Sequence, residues 1–357
     1  MPILKPEELI ELCHGIFRAL GAPAEVARRV AESLVEANLM GHDSHGVIRV
    51  AQYIEMVEDG RINATARPRV ERETANTAVV DGEWQFGQVA ARFAMEAAIE
   101  KAARGGVAAV QLHRSGHIGR LGEYAAQALE RGMAGIVTTN NHGGGQNMAP
   151  FGGVARRLSP SPIAIAVPGG KDFPIVLDMT SSVVAEGKVR VKRARGERLP
   201  EGWIQDAAGR PSTDPADLYS NPPGSLTPLG GAAGHKGFGL ALMIDILSGA
   251  LGGAGCSRAD QPVRGNGVYL QAINPEAFGA AEEFPKQVAA LVEYVKSSPL
   301  APGADRIRVP GEVEHEQKRK RLRDGIEIED DTWRKIRAAA ARLGVAAETA
   351  DSSLRSE

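Results

Sequence analysis

Between residues 88 and 139 the apolar period switches back and forth, and this narrows the possible folds more than any other feature. An alanine-rich helical stretch (88–104) leads into a β-rich run (107–112), and a second helical stretch (119–131) leads into another (135–139). Helix and strand alternating at this spacing predict a layered α/β domain around a buried sheet. Residues 77–80 before Asp81-Gly82 read as a further strand, and the apolar runs 163–167 and 175–177 sit between proline-rich bends. The first sixty residues read as helical. Leu9, Leu12, Ile16 and Leu20 form one stripe, and Val26, Val30 and Leu34 form a second beyond the Gly21-Ala22-Pro23 break; a third helix is expected at 46–58. Turn chemistry dominates 190–230, which predicts long ordered loops of the kind that often carry function. A glycine-rich turn then opens a strongly apolar helix at 238–251. The tail predicts a strand at 306–309, helices at 312–323 and 331–343, and seven disordered closing residues.

Length and composition limit the function classes. A chain of 357 residues buries a large core and is long enough for two domains or one elaborated domain. With 43% hydrophobic and 24% charged residues it has the make-up of a soluble globular protein. A formal net charge of -2 provides no field for non-specific nucleic-acid binding, and the Arg-dense runs 190–198 and 318–323 are offset by acidic neighbours. Cys13 and Cys256, the only cysteines, make neither a disulfide scaffold nor a four-thiolate metal site, so a reducing compartment is expected. No apolar run is long enough to span a bilayer and the N-terminus does not read as a signal peptide, so the expected location is the cytoplasm.

Four segments carry candidate chemistry. Gly41 to Arg49 (GHDSHGVIR) places an imidazole (His45), a hydroxyl (Ser44) and a guanidinium (Arg49) close together. Arg offers a planar fork for a carboxylate, and His is suited to proton transfer near neutral pH. If residues 46–49 continue a helix, His45 and Arg49 share one face; a helix start capped by Asp43 or Ser44, with an incidental His and a surface Arg, is equally consistent. Ser115 to Tyr124 (SGHIGRLGEY) follows a strand and opens a helix, with His117 placed to line a cleft or simply to face solvent. In Leu177 to Ser182 (LDMTSS) the Asp ends an apolar strand, where it orients a His or a ribose or caps the next segment. Gly230 to Leu247 sets glycines and Lys236 at a helix start, a natural phosphate cradle or a flexible loop. PGEVEHE (310–316) opens a helix with acidic residues, as the helix dipole alone explains. The chain has no G-x-G-x-x-G or P-loop fingerprint and no nucleophile elbow, and the His42/His45 pair lacks a third ligand pattern, so no metal is expected. Read this far, the residues point to an α/β enzyme acting on anionic small molecules.

Taken in order, GHDSHGVIR (41–49), the Tyr53 region, HIGRLGEY (117–124), TTNN (138–141), APFGG (149–153), LDMTSS (177–182), GHKGFGLALMIDIL (234–247), VPGEVE (309–314) and GIEI (325–328) resemble the malate/L-lactate dehydrogenase type 2 family. Its members are NAD(P)-dependent oxidoreductases that include sulfolactate, ureidoglycolate and 2,3-diketogulonate dehydrogenases and cyclic-imine (Δ1-piperidine-2-carboxylate) reductases. The resemblance runs from about Leu9 to Leu343. It implies a family-specific, non-Rossmann α/β/α fold with a large central mixed sheet. Residues 1–68 and 285–357 would form an added helical subdomain, and 69–284 the cofactor- and substrate-binding core. It also implies a homodimer with the active site near the subunit interface, a nicotinamide cofactor (NAD or NADP) and a small-molecule substrate; the composition and motifs already lead us to expect no metal, nucleic acid or membrane.

Residue by residue, the resemblance assigns proton transfer to His45 with Ser44 beside it, and makes His117 a second catalytic candidate. It gives the substrate carboxylate to Arg49, with Tyr53 and Asn140 also in the substrate site, and puts Asp178 near the reacting centre. The cofactor would meet His117, Gly119, Asn140, Pro174, Ile175, Val176, Leu177, Asp178, Met179, Thr180, His235, Lys236, Gly311, Glu312 and Val313. Two departures concern the substrate pocket. Leu158-Ser159-Pro160-Ser161-Pro162 stands where members carry L-G-T-N-P, and the loop 142–148 is a few residues longer than usual. The implied reaction is reversible hydride transfer between NAD(P)H and a 2-oxo acid. The alternatives are reduction of a cyclic imine beside a carboxylate and a non-catalytic binding protein.

Overall fold

A computed structural model gives the fold, with residues 1–142, 145–260 and 265–346 described. The closing seven residues and positions 143 and 144 of the 142–148 loop lie outside these. A short strand β1 (Ile3–Leu4) precedes α1 (Pro6–Ala19) and α2 (Ala24–Leu39), which part at the Gly21-Ala22-Pro23 break. Two 3-10 turns, Asp43–His45 and Val47–Arg49, then lead into α3 (Val50–Glu58). The helix expected at 46–58 therefore starts only at Val50. The cause is Gly46, whose backbone is extended (φ -87°, ψ -152°) because it lies against Asn38; a Cβ there would run into the Asn38 amide. That amide holds the turn together: Asn38 Oδ1 accepts from the Val47 N–H (2.8 Å) and Asn38 Nδ2 donates to the Asp43 carboxylate (2.7 Å).

The strands β2 (Arg69–Glu73) and β3 (Thr77–Asp81) form a hairpin, and α4 (Gly87–Gly105) crosses to β4 (Val107–Ser115). Next come α5 (Gly122–Gln127), β5 (Ala134–His142), β6 (Pro162–Val167), β7 (Ile175–Thr180) and α6 (Glu186–Ala194). The short strands β8 (Ile204–Gln205), β9 (Pro211–Ser212) and β10 (Ser225–Leu226) follow. After α7 (Gly234–Asp245) come β11 (Gly265–Ile273), α8 (Glu283–Lys296), α9 (Glu312–Asp324), β12 (Ile326–Glu327) and α10 (Asp330–Arg342).

Seven strands make the central sheet, in the order β2-β3-β4-β11-β5-β6-β7. β3 and β4 run parallel across the α4 crossover, and each other neighbouring pair is antiparallel. This is a mixed sheet in a layered α/β fold. One face is apolar: Ala108, Val110 and Leu112 of β4, Val137 of β5, Ala164 and Ala166 of β6, and Val268, Leu270 and Ala272 of β11 pack under α4 and α5. Side chains of the intervening residues emerge on the opposite face. There hydrogen bonds attach the sheet to α7 and its π-helical continuation Ile246–Ala250: Gln111 Nε2 to the Leu247 carbonyl (2.6 Å), and Thr138 Oγ1 with Ser248 Oγ (2.8 Å).

Three differences from the sequence reading stand out. β11 and α8 were not expected. Residues 306–309 do not form a strand: the Val309 N–H is taken by the Glu312 carboxylate at the start of α9 (3.1 Å), while Arg306 and Arg308 pair with Asp305 and Glu316. The loop region 190–230 contains the end of α6 and a small sheet (β10-β8-β9) over its own core of Leu199, Ile204, Leu218 and Leu226 with Met148 and Val184. A further core joins both ends of the chain: Leu9, Phe17, Leu34 and Tyr53 pack in one cluster with Ile326, Ile328, Ile336 and Ala340. Among the described residues no helix is long and apolar enough to cross a membrane.

Candidate active site

The turn that Asn38 builds brings His45 face to face with His117 from the β4–α5 connection. Their rings stack with centroids 5.5 Å apart and planes 9° from parallel. Ser44 Oγ lies 3.1 Å from His45 Nδ1, leaving the far nitrogen of that ring free of it. His117 Nδ1 is 2.8 Å from the hydroxyl of buried Tyr53, which in turn accepts from Gln88 Nε2 at 2.8 Å. With Gln88 donating, the Tyr53 O–H donates onward, and the proton of neutral His117 is assigned to Nε2. Arg49 closes the group. Its Nε donates to the Ser44 carbonyl (2.7 Å) and its Nη1 to Gln52 (2.7 Å). With two of the guanidinium's donors engaged, the remaining Nη1 and Nη2 hydrogens suit a carboxylate.

Both imidazoles are held neutral. Burial pushes His45 down to about 3, helped by the positive charges of Arg49, His42 and Arg120. Burial, Arg49 and His45 hold His117 well below the ordinary histidine range. Burial also pushes the Tyr53 hydroxyl up to about 12, so it stays a donor. Because the folded His45 resists the proton that the unfolded chain accepts below about pH 6.5, stability falls as pH drops from 6.5 toward 3. Urea denaturation at pH 7 and pH 4.5 checks this: the wild type is expected to lose more stability on acidification than His45→Asn. Equal losses would remove His45 from that linkage.

A second group of residues forms around β7, an edge strand whose six residues are all half-buried. Val176 and Asp178 face α5, where Asp178 Oδ2 accepts from the Gly122 N–H (2.7 Å). Ile175, Leu177 and Met179 alternate to the opposite face. The open edge of β7 is crossed by Gly311, which has φ of 90° and approaches so closely that an added Cβ would lie 2.5 Å from the Pro174 carbonyl. The Val176 N–H donates to the Pro310 carbonyl (3.3 Å). α9 then runs back to the turn carrying His45, with Glu314 3.6 Å from His42 and Arg321 paired with Asp43. Beyond β7 the Ser181 hydroxyl is buried without a partner among the described residues, and α7 starts nearby, as the Leu229 N–H donates to the Ser181 carbonyl (2.9 Å). A half-open strand edge, an orphaned hydroxyl and a helix start with exposed Lys236 fit a dinucleotide.

Not every candidate joins these groups. The Asn140 amide is engaged inside the protein: Nδ2 donates to Asp245 (2.6 Å) and the Gly255 carbonyl (2.8 Å), and Oδ1 accepts from the Gly267 N–H (3.1 Å). With both Nδ2 hydrogens donated, a ligand can meet this amide only through the second lone pair of Oδ1. Asp178 caps α5, and no described hydrogen bond joins it to either imidazole. His235 is exposed and packs edge-on against Phe151 (5.7 Å). Glu312 is paired with Lys296 (2.8 Å), and Val313 is exposed. Gly119 lies buried in the turn between His117 and α5. In the divergent segment, Ser159 and Ser161 hydrogen-bond each other (2.8 Å) and Thr180 Oγ1 donates to the Pro160 carbonyl (2.7 Å). Among the described residues no group of three or more His, Cys, Asp or Glu is arranged to hold a metal. Gln88 and Arg120 are buried polar residues that the sequence alone does not single out; Arg120 lies within HIGRLGEY, and Gln88 begins an alanine-rich helix with no motif around it.

Comparison with known proteins places this geometry. The family model described as malate/L-lactate dehydrogenase matches residues 4–337. A malate dehydrogenase from Pyrococcus abyssi is 39% identical over 347 residues, covering 95% of this chain and 94% of that protein. The solved sulfolactate dehydrogenase of Methanocaldococcus jannaschii superposes with a TM-score of 0.87 at 37% identity, covering 97% of this chain and 99% of the other. A malate dehydrogenase from Entamoeba histolytica superposes with a TM-score of 0.91 at 30% identity, covering 97% and 99%. With its end-to-end match and its shared fold, the chain belongs to the malate/L-lactate dehydrogenase family of oxidoreductases.

Proposed function

We propose that this protein transfers hydride reversibly between NAD(P)H and a small 2-oxo acid, returning the matching 2-hydroxy acid. The observation that carries this reading is the stacked, neutral His45–His117 pair with a partly free guanidinium, Arg49, beside it. The bound nicotinamide supplies or accepts the hydride. The chain's own residues do the rest. Arg49 grips the substrate carboxylate and thereby fixes the neighbouring carbon. In oxidation His45 is already the neutral base that takes the hydroxyl proton. In reduction the substrate's negative charge offsets the Arg49 charge, which adds to burial in holding His45 down, so binding moves the ring toward the protonated donor. His117, with its proton on Nε2, hydrogen-bonds the same oxygen. Ile175 to Thr180, Gly311 and Lys236 hold the dinucleotide.

A substrate panel tests the reading, with oxaloacetate, pyruvate and Δ1-piperidine-2-carboxylate each supplied with NADH or NADPH and followed by loss of reduced-nicotinamide absorbance. Turnover of a 2-oxo acid supports it. Turnover of the imine alone would replace it with imine reduction, and tight cofactor binding without turnover would leave only a binding protein.

The working unit is a homodimer. Support comes from α7 and its continuation, which expose Met243 (52%), Leu247 (42%) and Leu251 (62%) in a strongly apolar segment. The double variant Met243→Glu, Leu247→Glu is expected to sediment as a monomer where the wild type sediments as a dimer; a monomeric wild type would sink the proposal. The few cysteines, both free, fit a cytoplasmic setting.

A further inference from the structure

Gln88, the second residue of α4, is only 1% exposed, and its amide is used unevenly. Nε2 donates to the Tyr53 hydroxyl (2.8 Å), while Oε1 is buried without a hydrogen-bond partner among the described residues. A methionine would fill the same space without an unpaired oxygen. A buried amide that forgoes half of its bonding is costly, so the half it keeps is where its use lies. Two glycines fit it to the His117 segment. Gly87 lets α4 start against the His117 carbonyl, where an added Cβ would lie 2.3 Å from the oxygen. Gly119 leaves space beside the amide, since its own added Cβ would lie 3.3 Å from Gln88 Nε2. The start of α4 therefore meets His117 twice, by backbone contact and through Tyr53.

The bond from Gln88 settles which way the next one points. Tyr53, whose hydroxyl burial pushes up to about 12, keeps its single proton. Two acceptors are in reach of it, His117 Nδ1 at 2.8 Å and the His117 carbonyl at 3.4 Å. With Gln88 occupying the accepting side of the phenol oxygen, the hydroxyl proton goes to the nearer atom, Nδ1. Remove the amide and a second arrangement opens: Nδ1–H donates to the phenol oxygen, and the hydroxyl turns to the carbonyl. His117 would then show the reacting oxygen a lone pair on Nε2 in place of an N–H, and a lone pair repels a developing oxyanion. Its stacked neighbour His45 already supplies the neutral base. Resting on the hydride-transfer reading above, we propose that Gln88 is a positioning residue for this reaction: by donating to Tyr53 it fixes His117 as the hydrogen-bond donor and leaves proton transfer to His45.

The experiment compares the full-length wild type with Gln88→Met, which keeps the volume and removes the donor. Tyr53→Phe, which cuts the chain one step later, serves as a second variant should Gln88→Met fail to fold. NMR of nitrogen-labelled histidines, with His117 assigned by its loss in His117→Asn, reads which ring nitrogen carries the proton before any ligand is added. Separately, kcat and KM are measured for pyruvate and oxaloacetate at saturating reduced cofactor. The wild-type ring is expected to carry its proton on Nε2. Either variant should move part of that population to Nδ1 and lower kcat roughly tenfold to a hundredfold. KM should stay within about threefold, because the oxyanion develops only in the transition state. A wild-type proton on Nδ1 overturns the proposal. So does an unchanged kcat, and so does a fall in kcat with the Nε2 proton kept, which marks a merely structural amide. A proton shift in an enzyme that reduces neither acid sinks the 2-oxo acid reading instead and leaves the hydrogen-bond chain standing.

Discussion

The His45→Ala enzyme is expected to turn over ~10²–10⁴-fold more slowly than the wild type while binding reduced cofactor with unchanged affinity. The choice of His45 as principal proton carrier follows from how the two stacked rings are held. His117 is locked through Nδ1 to the Tyr53 hydroxyl, itself pushed up to about 12, and so has no easy route for a second proton. His45 is held only by the Ser44 hydroxyl. The pH dependence carries the same claim. Since kcat/KM reports the free enzyme, and free His45 stays neutral far below the ordinary histidine range, oxidation of the hydroxy acid should show no acid limb near pH 6.5. Near-normal turnover in His45→Ala, with loss in His117→Ala, would exchange their roles.

Arg49→Leu is expected to cost about 3–4 kcal/mol of transition-state stabilisation, on the order of 10²–10³-fold in kcat/KM with every 2-oxo acid tested. Most of this should appear in KM, because the carboxylate is gripped alike before and during the reaction. Arg49→Lys should not restore the wild-type value. The side chain is positioned by Nε on the Ser44 carbonyl and Nη1 on Gln52, and an ammonium cannot keep both while presenting a fork. A KM within about threefold of wild type in Arg49→Leu would show that the carboxylate binds elsewhere.

Local signals located much of this molecule. The helix pair parted at Gly21-Ala22-Pro23 and the alternation from α4 to β5 lie where their periodicity places them, because one face of each element is buried in a core. The turn carrying Ser44, His45 and Arg49 was legible in its chemistry and misread in its shape. Its conformation is set by Asn38, a side chain in the preceding helix, and no local pattern reports that contact. Asn140 lies in a visible family motif, but that its amide joins β5 to α7 is not legible from the motif. β11 was missed because it begins Gly265-Asn266-Gly267, a turn signal by composition, and gains its strand character only between two partners already in place. The burial of Arg120 within HIGRLGEY is visible only in three dimensions.

The placement of β11 between β4 and β5 has a consequence for biosynthesis. Asn266 bonds to the Asn140 carbonyl across 126 positions of chain, so the middle of the sheet is completed by a segment that leaves the ribosome long after both neighbours. Until then β4 and β5 each hold a bare edge, which invites pairing with other chains. Truncations ending before β11 should aggregate rather than yield a smaller folded unit, and refolding should be slow for its stability, governed by the closure of that distant loop.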